Sequence, residues 1–200
     1  MSRNHPPIYF LRHGETDWNK GWRYQGQRDI PLNDTGRAQA RRNGARLVEL
    51  MRSEGLEPAD LAYVASPLKR ARETMEIARA ALGLEAGGYA TDERLMEIHY
   101  GAWEGMTRSE VKAARRGEWR ARRETPFEFA APGGESYRQL AGRVGPWLET
   151  LDGPSIVVAH GGVMRALRHL LCGLDPAQTM ASTVPQDKVL VISANRSRFA

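Results

Sequence analysis

Apolar residues follow two rhythms along this chain. Short runs that are apolar almost throughout, each bounded by turn residues, occupy residues 8–12, 61–66, 155–160 and 189–193, and a weaker one covers 89–95. Runs this short, rich in Val and Ile in the last two of the four, predict strands buried on both faces. Between them the spacing turns helical. Leu68, Ala71, Met75, Ala78 and Leu82 are separated by 3, 4, 3 and 4 positions, and Leu140, Val144, Trp147, Leu148 and Leu151 make a second stripe. Residues 36–51 and 163–171 read as further helices. Strands alternating with helices predict an α/β fold: a three-layer α/β/α sandwich around a mostly parallel sheet. No repeat or low-complexity linker divides the chain, so 1–200 reads as a single domain. Its one irregular stretch, about 101–135, reads as a lid-like excursion over the sheet with a helix near 109–123.

Composition narrows the class. A chain of 200 residues is long enough to bury a core without cross-links. Its single cysteine, Cys172, excludes an intrachain disulfide and any paired-cysteine zinc spacing, and it fits a reducing, cytoplasmic setting. The N-terminus is polar up to Pro7, and no window approaches the roughly 20 apolar residues of a membrane helix, so neither a secretion signal nor a membrane anchor is expected. The formal charge is +5, with 29 Lys+Arg against 24 Asp+Glu, and the excess is almost all arginine. Arg41, Arg42, Arg46 and the cluster at 115–123 are interleaved with Glu49, Glu110, Glu118 and Glu124, which is the pattern of solvated helices and not of a nucleic-acid footprint.

In open α/β sheets, ligands bind at the carboxyl ends of the strands. The residues found there are Arg12-His13-Gly14-Glu15-Thr16, Ser66-Pro67-Leu68-Lys69-Arg70, Glu97, and His160-Gly161-Gly162. A glycine after each histidine lets an anion approach the backbone, and a helix starting at Gly161 would add free N–H groups. Arg70 lies off the apolar stripe of its helix, near the positive end. One histidine after a strand is ordinarily structural, and His5 and His169 are read that way while His99 stays open. Two such histidines with two arginines suit a phosphomonoester dianion. They lack the further ligands a metal site needs, so no metal or cofactor is expected.

Longer blocks carry a resemblance. Leu11-Arg12-His13-Gly14-Glu15-Thr16-Asp17-Trp18-Asn19 is followed in order by Gln25-Gly26, by Ser66 to Thr74, by Leu95 to Gly105 around Glu97, and by Ala159-His160-Gly161-Gly162-Val163-Met164-Arg165-Ala166. In these blocks the chain resembles the histidine phosphatase superfamily, the phosphoglycerate mutase-like proteins. The resemblance implies that His13 is the nucleophile and becomes a phosphohistidine. Arg12, Arg70 and His160, with Asn19, would hold the phosphoryl oxygens, and Glu97 would protonate the departing oxygen. Thr16, Gln25, Gly26 and Gly161 fall in the same blocks and are expected beside the phosphate. The Gly14 carbonyl or a neighbour would fix the tautomer of His13.

The implied activity is metal-independent hydrolysis of a small phosphomonoester, by a monomer or homodimer. A phosphoglycerate mutase is the alternative, and an inert sensor of a phosphorylated ligand is the second. Mutases of the family carry a longer insertion between acid and second histidine, an arginine where Ile98 stands, and a polar residue where Gly162 stands. Arg108, Arg122 and Arg123 are expected to meet a carboxylate on the substrate.

Overall fold

The computed structural model describes residues 5–200; the first four residues of the polar N-terminal stretch lie outside them. Six strands form one sheet: β1 (Ile8–Arg12), β2 (Ala62–Ala65), β3 (Ala90–Thr91), β4 (Ser155–Ala159), β5 (Val189–Ser193) and β6 (Arg196–Phe199), in the order β3-β2-β4-β1-β5-β6. β1, β2, β3 and β4 run parallel to one another, and β5 and β6 add an antiparallel edge. Eight α-helices connect them: α1 (Asp17–Lys20), α2 (Asp34–Glu54), α3 (Lys69–Ala81), α4 (Arg108–Ala114), α5 (Arg116–Glu124), α6 (Tyr137–Leu148), α7 (Gly161–Cys172) and α8 (Pro176–Ala181).

The period-2 alternation of each central strand sorts its side chains into two cores. Tyr9, Leu11, Ile156, Val158, Val189 and Val191 face α2 and α3. Ile8, Phe10, Val157, Ala159, Leu190 and Ile192 face α6 and α7. The three-layer sandwich follows from that alternation: every central strand is covered on both sides, which is why the strands read as continuous apolar runs.

Four local features depart from the sequence reading. The weak strand at 89–95 shrinks to Ala90–Thr91 because the Asp92 carboxylate accepts from Arg94 N and turns the chain into a 3₁₀ turn over Glu93–Leu95. β6 was not expected. It folds back from β5 through Ala194 and Asn195, both at positive φ (48° and 61°), and its alternation of polar residues suits an exposed edge. The helix expected near 109–123 is two helices, α4 and α5, broken at Arg115 (φ −133°, ψ 50°). The short α1 and α8 rest on capping boxes begun by Thr16 and Asp175. The 101–135 excursion carries its own small core of Trp103, Val111 and Ala131, ringed by Tyr24, Tyr100, Met106, Trp119 and Phe129. The Trp103 indole donates to Glu118 at 2.6 Å and anchors α5 over it. Among the described residues no helix is long and apolar enough to cross a membrane.

Candidate active site

The parallel register of β1 against β4, with Arg12 opposite Ala159, delivers both histidines side by side as the strands end. The ladder continues one residue further: His13 N donates to Ala159 O and Ser66 N to Val158 O, each at 2.9 Å. His13 is 2% exposed, and its Nδ1 lies 2.7 Å from Gly14 O. A carbonyl only accepts, so Nδ1 carries the proton and Nε2 keeps its lone pair. Burial, then the charges of Arg70 and Arg12, hold the imidazole well below its usual range, which keeps it neutral and nucleophilic.

His160 is fully buried, its ring centroid 5.1 Å from that of His13, with Nε2 2.7 Å from Ser66 Oγ and Nδ1 unpartnered. Burial, Arg70 and His13 lower it as well. The two guanidiniums are fixed by main-chain carbonyls. Arg70, with no exposed surface, donates to Arg28 O at 2.6 Å and Gly26 O at 2.8 Å; burial lowers it to about 10, which leaves it charged at neutral pH. Arg12 donates to Val184 O at 2.6 Å. Both keep a buried Nε without a partner.

Two glycines make the close approaches. Gly26 holds φ at +53°, and a Cβ there would come within 1.9 Å of Glu104 Oε1, so only glycine presents this carbonyl to Arg70. In the first turn of α7, Gly162 N donates to the Glu97 carboxylate at 3.0 Å, and a Cβ would fall 2.2 Å from Glu97 Oε1. Glu97 Oε1 also accepts from Ile98 N at 2.9 Å. Arg143, which the sequence reading passed over, fixes the loop that carries Glu97: it donates to the carbonyls of Arg94, Met96 and Glu97 and pairs with Glu135 at 2.8 Å.

Beside His13 opens a cleft of about 580 Å³ whose walls include Arg12, His13, Asn19, Gln25, Gly26, Arg70, Glu97, Arg108 and Gly161, while His160, with no exposed surface, lies behind the wall against His13. The Asn19 carbonyl oxygen is taken by Thr16 N and Gln186 Nε2, both at 3.2 Å, so what it offers the cleft is its NH₂ group. Thr16 itself is buried behind that wall and caps α1, so it positions Asn19 instead of lining the phosphate site. Arg108 stands exposed on the rim. The expectation for Arg122 and Arg123 is corrected: neither lines the cleft. Arg122 lies over the Tyr100 and Trp103 rings at 5.7 and 5.8 Å, held there by cation–π attraction, and Arg123 is exposed at the end of α5. His99, left open above, binds Gly133 O at 2.9 Å beside a different cavity. In their place the cleft gains Lys20, Arg23, Tyr100, Tyr137, Arg165 and Gln186.

A neutral, desolvated imidazole with its lone pair free, ringed by guanidiniums and faced by a carboxyl group, is chemically suited to phosphoryl transfer. The chain belongs to the histidine phosphatase superfamily (branch 1), whose family model matches residues 8–200. It is 38% identical over 180 residues to a glucosyl-3-phosphoglycerate phosphatase of Mycolicibacterium vanbaalenii, covering 84% of this chain and 74% of that one. It is 34% identical over 184 residues to a 2,3-bisphosphoglycerate-dependent phosphoglycerate mutase of Azorhizobium caulinodans, covering 86% and 84%. Among solved structures it is similar to a mycobacterial glucosyl-3-phosphoglycerate phosphatase in complex with VO3, at TM-score 0.79 and 30% identity over 97% of each chain.

Proposed function

We propose that this protein hydrolyses a small phosphomonoester through a phosphohistidine on His13. One observation carries the reading: Arg12 Nε, Arg70 Nε and His160 Nδ1 are buried beside the nucleophile with no partner in the protein. Buried donors left unmade are costly, and a phosphoryl group seated on His13 supplies the oxygens they lack. His13 Nε2 forms the new bond to phosphorus as the ester P–O bond breaks, and Glu97 passes its proton to the departing oxygen. Water then attacks the phosphohistidine and gives its proton to Glu97, which restores neutral His13 and releases inorganic phosphate. Ile98 N and Gly162 N donate to Glu97 Oε1 at 2.9 and 3.0 Å, while Oε2 has only the longer 3.2 Å contact with Gly162 N, so we assign the mobile proton to Oε2. Arg12 and Arg70 stabilise the charge that spreads over the equatorial oxygens during both transfers. A sensor would have no use for this proton donor.

The mutase reading has support from relatives of that name, such as the one from Azorhizobium caulinodans. Two positions favour hydrolysis over it. Ile98 is buried in the core beneath α6 and α7, and Gly162 is filled by Glu97, so neither offers a polar group to retain an intermediate near the phosphohistidine. The free thiol of Cys172 supports a cytoplasmic, reducing setting.

The test is phosphate release from a panel of phosphomonoesters with EDTA present, with 2-phosphoglycerate quantified whenever 3-phosphoglycerate is supplied. Turnover that survives chelation and is lost in His13→Ala is the expected result. The 2-isomer forming faster than free phosphate would establish the mutase instead.

A further inference from the structure

Glu104 carries an enclosed carboxylate that the reaction above does not use. Only 5% of its side chain is exposed, although it belongs to the 101–135 excursion and not to the sheet. Its Oε1 accepts from Gln27 N at 3.0 Å and from Tyr100 N at 3.2 Å, and His99 Nε2 stands 3.5 Å from the same oxygen. Oε2 faces Arg28 Nε at 3.3 Å. The carboxylate also fills the space beside Gly26, where a Cβ would come within 1.9 Å of Oε1. An enclosed charge persists only with partners of this kind. Three of the residues it touches, Gly26, Gln27 and Arg28, are consecutive in one loop.

That loop is what holds Arg70. Glu104 takes the N–H of its middle residue, and the Arg70 guanidinium takes the carbonyls of the outer two, Gly26 and Arg28. The loop is thus a three-residue bridge from the excursion to the phosphate clamp. Its other ties are few: Asp29 Oδ1 accepts from Lys69 N at 2.7 Å at the start of α3, and Gln27 Nε2 donates to Glu97 O at 3.2 Å. A glycine has no steric reason of its own to stay at φ +53°, so the packing of Glu104 against Gly26 selects the conformation that aims its carbonyl at Arg70. Charge acts in the same direction. Burial lowers Arg70, and Glu97, Asp29 and Glu104 are the carboxylates that oppose the fall.

We infer that Glu104 is a positioning residue for the phosphate clamp: it sets the loop 26–28 and, through the carbonyls of Gly26 and Arg28, the guanidinium of Arg70. Glu104 itself is not part of the cleft wall, so it acts without touching substrate. The inference rests on the phosphatase reading and deepens it, because it makes the excursion a support of the catalytic centre as well as a cover beside it.

The test compares Glu104→Ala and Glu104→Gln in the wild-type chain and in Arg70→Lys. Calorimetry gives the Kd for inorganic phosphate. Turnover of p-nitrophenyl phosphate is measured alongside, divided by the phosphohistidine trapped in a rapid quench so that only active molecules are counted. Glu104→Ala should raise the Kd at least about tenfold, the size expected when one hydrogen-bonded charge contact is lost. Glu104→Gln keeps an oxygen for Gln27 N but not the charge, and should raise it about threefold, so the test stands even where Glu104→Ala does not fold. Turnover per active molecule should fall in the same order, although this leaving oxygen needs no proton. A lysine ammonium cannot span both carbonyls, so in Arg70→Lys the Glu104 substitutions should cost less than about twofold. Equal fold losses in the two backgrounds would overturn the inference. So would a lowered melting temperature with phosphate affinity unchanged, which would mean that Glu104 only packs the excursion. Failure of the phosphatase reading looks different: the wild-type chain would release no phosphate from any ester, even where the coupling of Glu104 to Arg70 in phosphate affinity stands.

Discussion

Replacing Gly162 by alanine tests how the acid is held. At an inert helical position the change is favourable by up to about 1 kcal/mol on propensity alone, less in the first turn where Gly162 stands, so such a position would keep or gain stability. Here the new methyl carbon would stand 2.2 Å from Glu97 Oε1 and 3.1 Å from Leu140 Cδ2, and carbon and oxygen need roughly 3.3 Å or more. The flexible carboxylate is the part that yields. It must retreat by about 1 Å, which breaks its bonds to Gly162 N and Ile98 N and draws it away from the leaving oxygen. A misplacement of that size costs on the order of 100-fold in rate, and general acid catalysis as a whole is worth about 10² to 10⁴. The loss should depend on the leaving group. An alkyl phosphate needs the proton and should lose about 100-fold in kcat/KM, whereas p-nitrophenyl phosphate, whose leaving oxygen departs as a stable anion, should lose less than about tenfold. Melting temperature should stay level or rise. Equal losses on the two esters, or none on either, would refute the placement of Glu97 as the proton donor.

Three further outcomes follow from the same geometry. His13 and His160 are held neutral by burial and by the neighbouring arginines, below the ordinary 6.5 that they recover on unfolding. The unfolded chain therefore binds more protons as pH falls beneath 6.5, and stability should drop by about 1.4 kcal/mol per pH unit for each histidine until the folded values are reached; denaturant melts at pH 7.0 and 5.5 that coincide would contradict this. Ser66→Ala removes the hydroxyl 2.7 Å from His160 Nε2 and should lower kcat/KM about tenfold, with partial recovery in Ser66→Thr; unchanged kinetics would show that Ser66 does not orient the ring. Gly26→Ala forces a Cβ against Glu104 at a left-handed φ and should disturb the carbonyl that holds Arg70, raising the Kd for inorganic phosphate more than about tenfold; unaltered phosphate affinity would sink the assignment.

The parts of this molecule that sequence discloses are those set by burial and by short-range pattern. Strands covered on both faces have nowhere to place a polar residue, so β1 and β5 appear as apolar runs with the observed limits and β4 as a run one residue longer than the strand. His13 after β1 and His160 after β4 inherit their closeness from the parallel register of those two strands, and Arg70 and Glu97 follow the shorter β2 and β3. What escaped depends on single contacts. Asp92 cuts β3 short by capturing one backbone N–H, and Arg115 breaks a charged helix just before Gly117, a glycine that stands in the first turn of the helix that follows. β6 escaped because Arg-Ser-Arg-Phe brings a single apolar side chain, Phe199, to its half-buried face.

The arginines show the same divide. Arg122 and Arg123 stand as a pair in the sequence, yet the first lies over the rings of Tyr100 and Trp103 and neither is part of the cleft wall. Arg165 had a readable signal in its three-residue spacing from Gly162, one helical turn along the face that begins at the second histidine. Thr16 lay within the most distinctive block of the sequence and acts through Asn19, a distinction that only the hydrogen bonds make.

The most direct test of the account is a rapid-quench experiment with a ³²P-labelled phosphomonoester, followed by mapping of the labelled peptide. The account predicts stoichiometric, acid-labile and base-stable phosphate on His13 within the first turnover, absent in His13→Ala, together with loss of steady-state phosphate release. Phosphate released at the wild-type rate by His13→Ala, or first-turnover phosphate with no label on the protein, would contradict it.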